Sequence, residues 1–146
     1  MSYENVWTFY GLPYEEVFDN HIGFVYIITN VLTGRKYIGK KNFFFSKTKI
    51  VKGKKKKIKV DSDWKVYYSS SEELKTDVEK YGKKNFKREI IKLCQTKGEM
   101  SYFEAKIQFE NDVLLYPNIW YNSWISCRIR GAHLKKLITN YYRNSV

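Results

Sequence analysis

A chain of 146 residues with 43% hydrophobic residues can form one ordinary core and is too short for two compact domains, so a single domain over residues 1–146 is expected. A formal charge of +12 calls for an anionic partner. No apolar run approaches the ~20 residues needed to span a bilayer, so nucleic acid is favoured over a membrane. Cys94 and Cys127 lie far apart with only His21 and His133 for company, which excludes zinc-type spacing and a disulfide framework. Both thiols read as packing residues of a protein in a reducing cytoplasm.

Residues 1–22 include Trp7, Phe9, Tyr10, Leu12, Tyr14, Val17 and Phe18, too apolar for a disordered tail. They are expected to pack on the domain as an N-terminal extension, an irregular lead-in with a short helix and Pro13 in its first turn. Residues 23–40 then read as a β-hairpin. Phe24, Tyr26 and Ile28 alternate with Val25, Ile27 and Thr29, and Asn30 to Gly34 supplies the turn. An even loop such as Asn30 to Thr33 puts Tyr26 directly opposite Tyr37 on one face. An odd loop puts the phenols on opposite faces unless a bulge intervenes. Taken alone, the pair is an ordinary cross-strand packing contact.

The segment Lys47 to Lys59, with Lys54, Lys55, Lys56 and Lys57 at its centre, resists burial through like-charge repulsion. It reads as a basic insertion after the hairpin, either a mobile loop or a protruding hairpin tip around Gly53. Ser70 and Glu73 have capping-box spacing for a helix whose stripe is Leu74, Val78 and Tyr81 and whose end is Gly82. Phe86 to Cys94 reads as a third strand. A second helix is expected from about Glu99 to Leu114, stopped before Pro117. Two strands, helix, strand, helix implies a small α/β (α+β) layered fold.

In the second helix Met100, Phe103, Ile107 and Leu114 form the apolar stripe, and Glu104 falls on its inward side. Such a carboxylate either pairs with a lysine at the stripe's edge or binds a divalent cation, for which oxygen ligands suit Mg²⁺.

Val25-Tyr26, Tyr37-Ile38-Gly39, the segment Lys80-Tyr81-Gly82-Lys83-Lys84-Asn85-Phe86, the strand Arg88-Glu-Ile-Ile and Glu104, in this order, resemble the GIY-YIG nuclease superfamily over roughly residues 23–123, and within it small endonucleases of phage type. The resemblance implies a three-stranded antiparallel sheet flanked by helices and DNA phosphodiester hydrolysis with one Mg²⁺ (or Mn²⁺) per site. It further implies that Tyr26 and Tyr37 contact the nucleophilic water and the scissile phosphate, one assisting proton removal, that Glu104 holds the metal, and that Asn122 supports the site.

The sequence departs from the family pattern in two places. Phe24 stands where the family's first Gly is usual, with Gly23 beside it, and no arginine occurs between Arg35 and Arg88 where the family supplies one. A lysine must then substitute: Lys65 in preference to Lys47, with Lys40 and Lys41 close enough to contribute and Tyr67 or Tyr68 in the place of a helper histidine. Lys40, Lys41, Lys47, Lys54 to Lys57, Arg128 and Arg130 are expected to grip DNA, with Lys135, Lys136 and Arg143 in a basic tail over residues 124–146. Lysine contacts to phosphate carry no sequence information, so weak sequence specificity or structure-directed cleavage is expected. A homodimer would use exposed aromatics among Trp120, Tyr121, Trp124, Tyr141 and Tyr142. The alternative is a catalytically silent nucleic-acid-binding module of the same fold.

Overall fold

The computed structural model describes residues 5–18, 20–135 and 137–138. Lys136, Tyr141, Tyr142 and Arg143 lie outside the described residues. The architecture is α+β. Strands β1 (Thr8–Phe9), β2 (Leu12–Pro13), β3 (Gly23–Asn30) and β4 (Lys36–Asn42) precede a separate ribbon of β5 (Phe44–Val51) and β6 (Lys54–Asp61). Helix α1 (Glu72–Tyr81), strand β7 (Phe86–Cys94) and helix α2 (Lys97–Glu110) follow. Among these residues no helix is long and apolar enough to cross a membrane.

The main sheet has five strands in the order β2-β1-β7-β3-β4, larger than the three expected. The expected antiparallel unit β7-β3-β4 is present, and the N-terminal segment extends it, β1 running parallel to β7. The segment therefore forms a hairpin instead of a lead-in with a helix. Tyr10 and Gly11 take φ of 52° and 79°, a turn with two left-handed residues that matches strand twist, and Pro13 sits in the edge strand, where no ladder donor is needed. Trp7 is no peripheral residue: it is 1% exposed, meets Phe24 and Tyr26 edge-on, and its indole N–H donates to the Trp64 carbonyl at 2.6 Å.

The alternation of β3 divides the core in two. Phe24, Tyr26 and Ile28 pack with Trp7, Phe43, Trp64 and the α1 residues Leu74 and Val78, whereas Val25 joins Ile38, Cys94, Met100 and Trp120 on the α2 side. Arg88, on β7, is buried in the first layer, where its guanidinium stacks on Trp7 and Tyr68 and donates to the carbonyls of Asn5, Lys65 and Tyr67. It ties the chain leading into α1 to the sheet.

The helix boundaries shift from their expected positions for local reasons. Ser71, not Ser70, caps α1 by accepting the Leu74 N–H, and Gly82 at φ 90° ends the helix as expected. Helix α2 begins earlier, capped by Thr96 onto the Glu99 N–H, and stops at Glu110; Leu114 lies beyond the helix and is exposed. Trp120 and Tyr121 are buried and so unavailable to a dimer interface, while Trp124 is exposed. Cys94 is buried but Cys127 is exposed, so only the first is a packing residue.

Candidate active site

The register of β3 and β4 decides where the phenols go. Asn30 N–H bonds the Arg35 carbonyl and Gly34 takes φ 79°, leaving Val31 to Gly34 as a four-residue loop. Its even length puts Tyr26 and Tyr37 on one face, as an even loop requires. They are diagonal, not directly opposite: Tyr26 pairs with Gly39 and Tyr37 with Ile28. The ring centroids are 6.2 Å apart. A register shift against β7 between Val25 and Tyr26 marks a bulge next to Tyr26, a device that re-aims a side chain.

Gly39 has a steric reason to be glycine. A Cβ built there would lie 2.5 Å from Tyr26 Oη, 2.7 Å from Tyr26 Cζ and 2.8 Å from Tyr37 Cε2, so both phenols fold over a bare backbone. Gly23 has a different one. Its Cβ would meet Met100 Sδ at 2.5 Å and the Lys41 carbonyl at 2.7 Å, so its absence lets α2 lie close on the sheet.

Strand β4 is the outer edge of the sheet, and polar side chains cover its unpaired backbone groups. Asn122 Oδ1 accepts the Ile38 N–H at 3.1 Å and its Nδ2 donates to the Ile38 carbonyl at 2.8 Å, imitating a neighbouring strand. Gln108 donates to the same carbonyl at 2.9 Å. Two positions on, the Lys40 backbone N–H donates to the Glu104 carboxylate. Glu104 thereby sits at the β4 edge and lines the same cleft as both phenols.

Asn122 thus pairs with both backbone groups of Ile38. Asn122→Ala is expected to destabilise the fold by roughly 2–3 kcal/mol, since it strands the buried N–H of Ile38, and a urea titration checks it. An unchanged midpoint would show that water replaces the amide without cost.

These groups line a cleft of about 680 Å³ together with Ser70, Ser71, Glu72, Glu73 and Trp124. Burial pushes the Tyr26 phenol well above its ordinary range, and the neighbouring Tyr67 and Tyr37 add to this. Burial also raises Tyr37, though less of its surface is lost, and a hydrogen bond from Ser70 works the other way. Both phenols therefore stay protonated near neutral pH. Burial likewise raises the Glu104 carboxyl, against a lowering influence from Lys40, whose Nζ is 3.9 Å from Glu104 Oε1 and donates to Ser101 Oγ at 2.7 Å.

Tyr26, Tyr37, Glu104, Asn122 and Lys40 come together in the lining of this cleft. Lys65 does not join them. The 3-10 turn Trp64–Val66 buries Trp64, leaving Lys65 exposed with its Nζ 5.7 Å from the Trp64 ring centroid and outside the cleft. Lys47 lies on the ribbon opposite Ile58, also outside it. Lys40 is the lysine that lines the cleft. Of the two helper candidates, Tyr67 contacts Tyr26, with ring centroids at 6.1 Å, while Tyr68 is buried against Arg88. Lys41 pairs with Asp63 at 2.6 Å and stacks on Tyr67. Lys54 to Lys57 stand on the ribbon; Arg128 and Arg130 are exposed near the start of α2. Ser70 escapes recognition as a site residue because its place before α1 reads as a cap.

Among the described residues no three His, Cys, Asp or Glu side chains gather into a ready-made metal cage. A cation at Glu104 would have one protein carboxylate and take its remaining ligands from water and substrate oxygens, a donor set that suits Mg²⁺. The arrangement offers the Glu104 carboxylate, the Lys40 ammonium group and two protonated phenols around one solvent-open space, with Glu72 and Glu73 also in its lining. The family described as "Putative endonuclease segE, GIY-YIG domain" matches residues 7–125. With that match over most of its length, the chain belongs to this GIY-YIG endonuclease family. No curated protein and no solved structure gives a significant match.

Proposed function

We propose that the chain is a metal-dependent DNA endonuclease of low sequence specificity or structure-directed action, with its site in the β4-edge cleft. The observation that carries this reading is the convergence of Tyr26, Tyr37, Lys40 and Glu104 on one cleft in a chain of this family. Glu104 would hold one Mg²⁺ (or Mn²⁺), which supplies Lewis-acid stabilisation of phosphoryl and leaving-group oxygens.

The chain's own residues do the rest. Tyr26, held in place by burial, turns its one O–H from Tyr67 to a non-bridging phosphate oxygen when substrate binds. Tyr37, less buried and bonded to Ser70, orients the water that attacks phosphorus, accepting its proton while handing its own phenolic proton to bulk water at the open side of the cleft. Lys40, the lysine of this cleft, serves in place of the family's arginine and offers the phosphate a point charge instead of a bidentate fork. In the free protein its ammonium group faces Glu104; substrate phosphate gives it a second anion.

Nicking of supercoiled plasmid in Mg²⁺ is the assay. Tyr37→Phe is expected to lower the rate by at least about 10²-fold, the usual worth of an acid–base group. Nicking by Tyr37→Phe at the wild-type rate would remove the phenol from the mechanism. A catalytically silent DNA-binding module is the competing reading, favoured by the lack of an arginine in the cleft lining. Wild-type protein that binds the plasmid without nicking it would establish that reading instead.

A further inference from the structure

The basic segment is an ordered two-stranded ribbon, and its chemistry differs from that of a merely solvated surface. Lys52 and Gly53 take φ of 51° and 75°, a tight turn that matches strand twist. Each strand has eight residues, so the ribbon reaches about 27 Å beyond its base. The base is fixed: Phe43 is fully buried, Ser62 N–H bonds the Phe43 carbonyl and Ser62 Oγ bonds the Asn42 carbonyl. The ribbon thus follows β4, the strand that carries Tyr37 and Lys40, after a bend at the anchored Phe43.

Its register puts Lys47, Lys49, Lys54 and Lys56 on one face and Lys55, Lys57 and Lys59 on the other. Lys49 stands directly opposite Lys56, a like-charge pair that costs stability in an unliganded ribbon. At the tip, Ile50 and Val51 are 69% and 41% exposed with no apolar layer to cover them. A ribbon that lay on one side of a polyanion would need lysines on one face only. Positive charge on both faces, with Ile50 and Val51 flanking the Lys52–Gly53 turn, suits phosphates on either side and apolar base edges beside the turn.

We infer that the β5–β6 ribbon enters the major groove of duplex DNA tip first, its two lysine faces against the two phosphate walls and Ile50 and Val51 at the base edges. The dimensions agree. A side-chain-clad ribbon about 10 Å thick matches a groove roughly 12 Å wide and 8.5 Å deep. That depth admits the turn and some two to three residues of each strand, which are Ile50, Val51, Lys54 and Lys55. Thymine methyl groups are the apolar feature of that groove floor. This deepens the endonuclease reading and rests on duplex DNA being its substrate.

Binding is measured with Glu104→Gln protein, so that its outcome is separate from that of the nicking assay. On a short duplex saturated with this protein, dimethyl sulfate should show protection of guanine N7, which faces the major groove, and none of adenine N3 in the minor groove. Replacing Lys47–Ile58 by Asn-Gly, which joins the paired residues Ser46 and Lys59, should abolish that protection. It should weaken binding at least about 10²-fold and reduce the salt slope by roughly 0.9 for each phosphate no longer neutralised. Lys49→Glu with Lys56→Glu, both exposed, repeats the test without shortening the chain. Duplex binding with no N7 protection, protection at N3 alone, or unchanged affinity and salt slope in both variants would overturn the inference. So would equal affinity for anionic phospholipid vesicles without N7 protection.

Discussion

Glu104→Gln is expected to lose at least about 10²–10³-fold in cleavage rate while becoming no less stable at neutral pH. The first effect follows from removing the carboxylate proposed to hold the cation, which lines the same cleft as both phenols. The second follows from the sign of its titration. Burial holds the folded-state pKa of Glu104 above its unfolded value, so the folded protein binds this proton more tightly. The associated stability is fully present below the unfolded value and is lost as pH rises through the folded one. At pH 7 wild-type protein therefore holds a desolvated charge that glutamine lacks. Thermal melts in EDTA should show Glu104→Gln equal to or above wild type at pH 7, with the advantage gone in acid. Mg²⁺ should raise the wild-type midpoint alone, and wild-type cleavage should fall as pH drops through the raised Glu104 value. A variant that melts well below wild type at pH 7 would mean that its bond from the Lys40 N–H outweighs the desolvation.

Gly39→Ala is the second large effect. An added methyl cannot occupy a point 2.5 Å from Tyr26 Oη and 2.7 Å from Cζ, so the phenol or the strand must move. Overpacking of this kind costs about 1–3 kcal/mol, and displacing a reacting group by an ångström costs about 10²-fold in rate. Because Cζ collides as well as the hydroxyl, Tyr26→Phe in the same chain should not restore stability. Urea unfolding and plasmid nicking on the single and double variants check both parts. Stability fully restored by Tyr26→Phe would place the conflict at the hydroxyl alone.

The parts of the fold legible in the sequence are those governed by local pattern. Phe86 to Cys94 is readable as a strand to its ends, and Gly82 as a helix stop, because alternation and positive φ are properties of adjacent residues. The N-terminal hairpin is not, since Trp7 to Tyr14 is apolar without clear alternation and is set by pairing with β7, some eighty residues away. Of the site, Tyr26, Tyr37 and Glu104 are legible from spacing and resemblance. Asn122 is legible as a site residue but not as the partner of the Ile38 backbone, because an edge strand's unpaired groups have no sequence signature. That Lys65 lies outside the cleft has a comparable reason. Its segment's one buried side chain, Trp64, decides which way the turn faces, and that depends on Trp7 and Phe43.

The central claim is that the β4-edge cleft hydrolyses DNA with a divalent cation. Single-turnover cleavage of an end-labelled duplex by wild-type protein, in Mg²⁺ and in EDTA at pH 8, tests it most directly. Strand cleavage in Mg²⁺ that EDTA abolishes is the predicted result; no cleavage in Mg²⁺, or the same cleavage in EDTA, would contradict it.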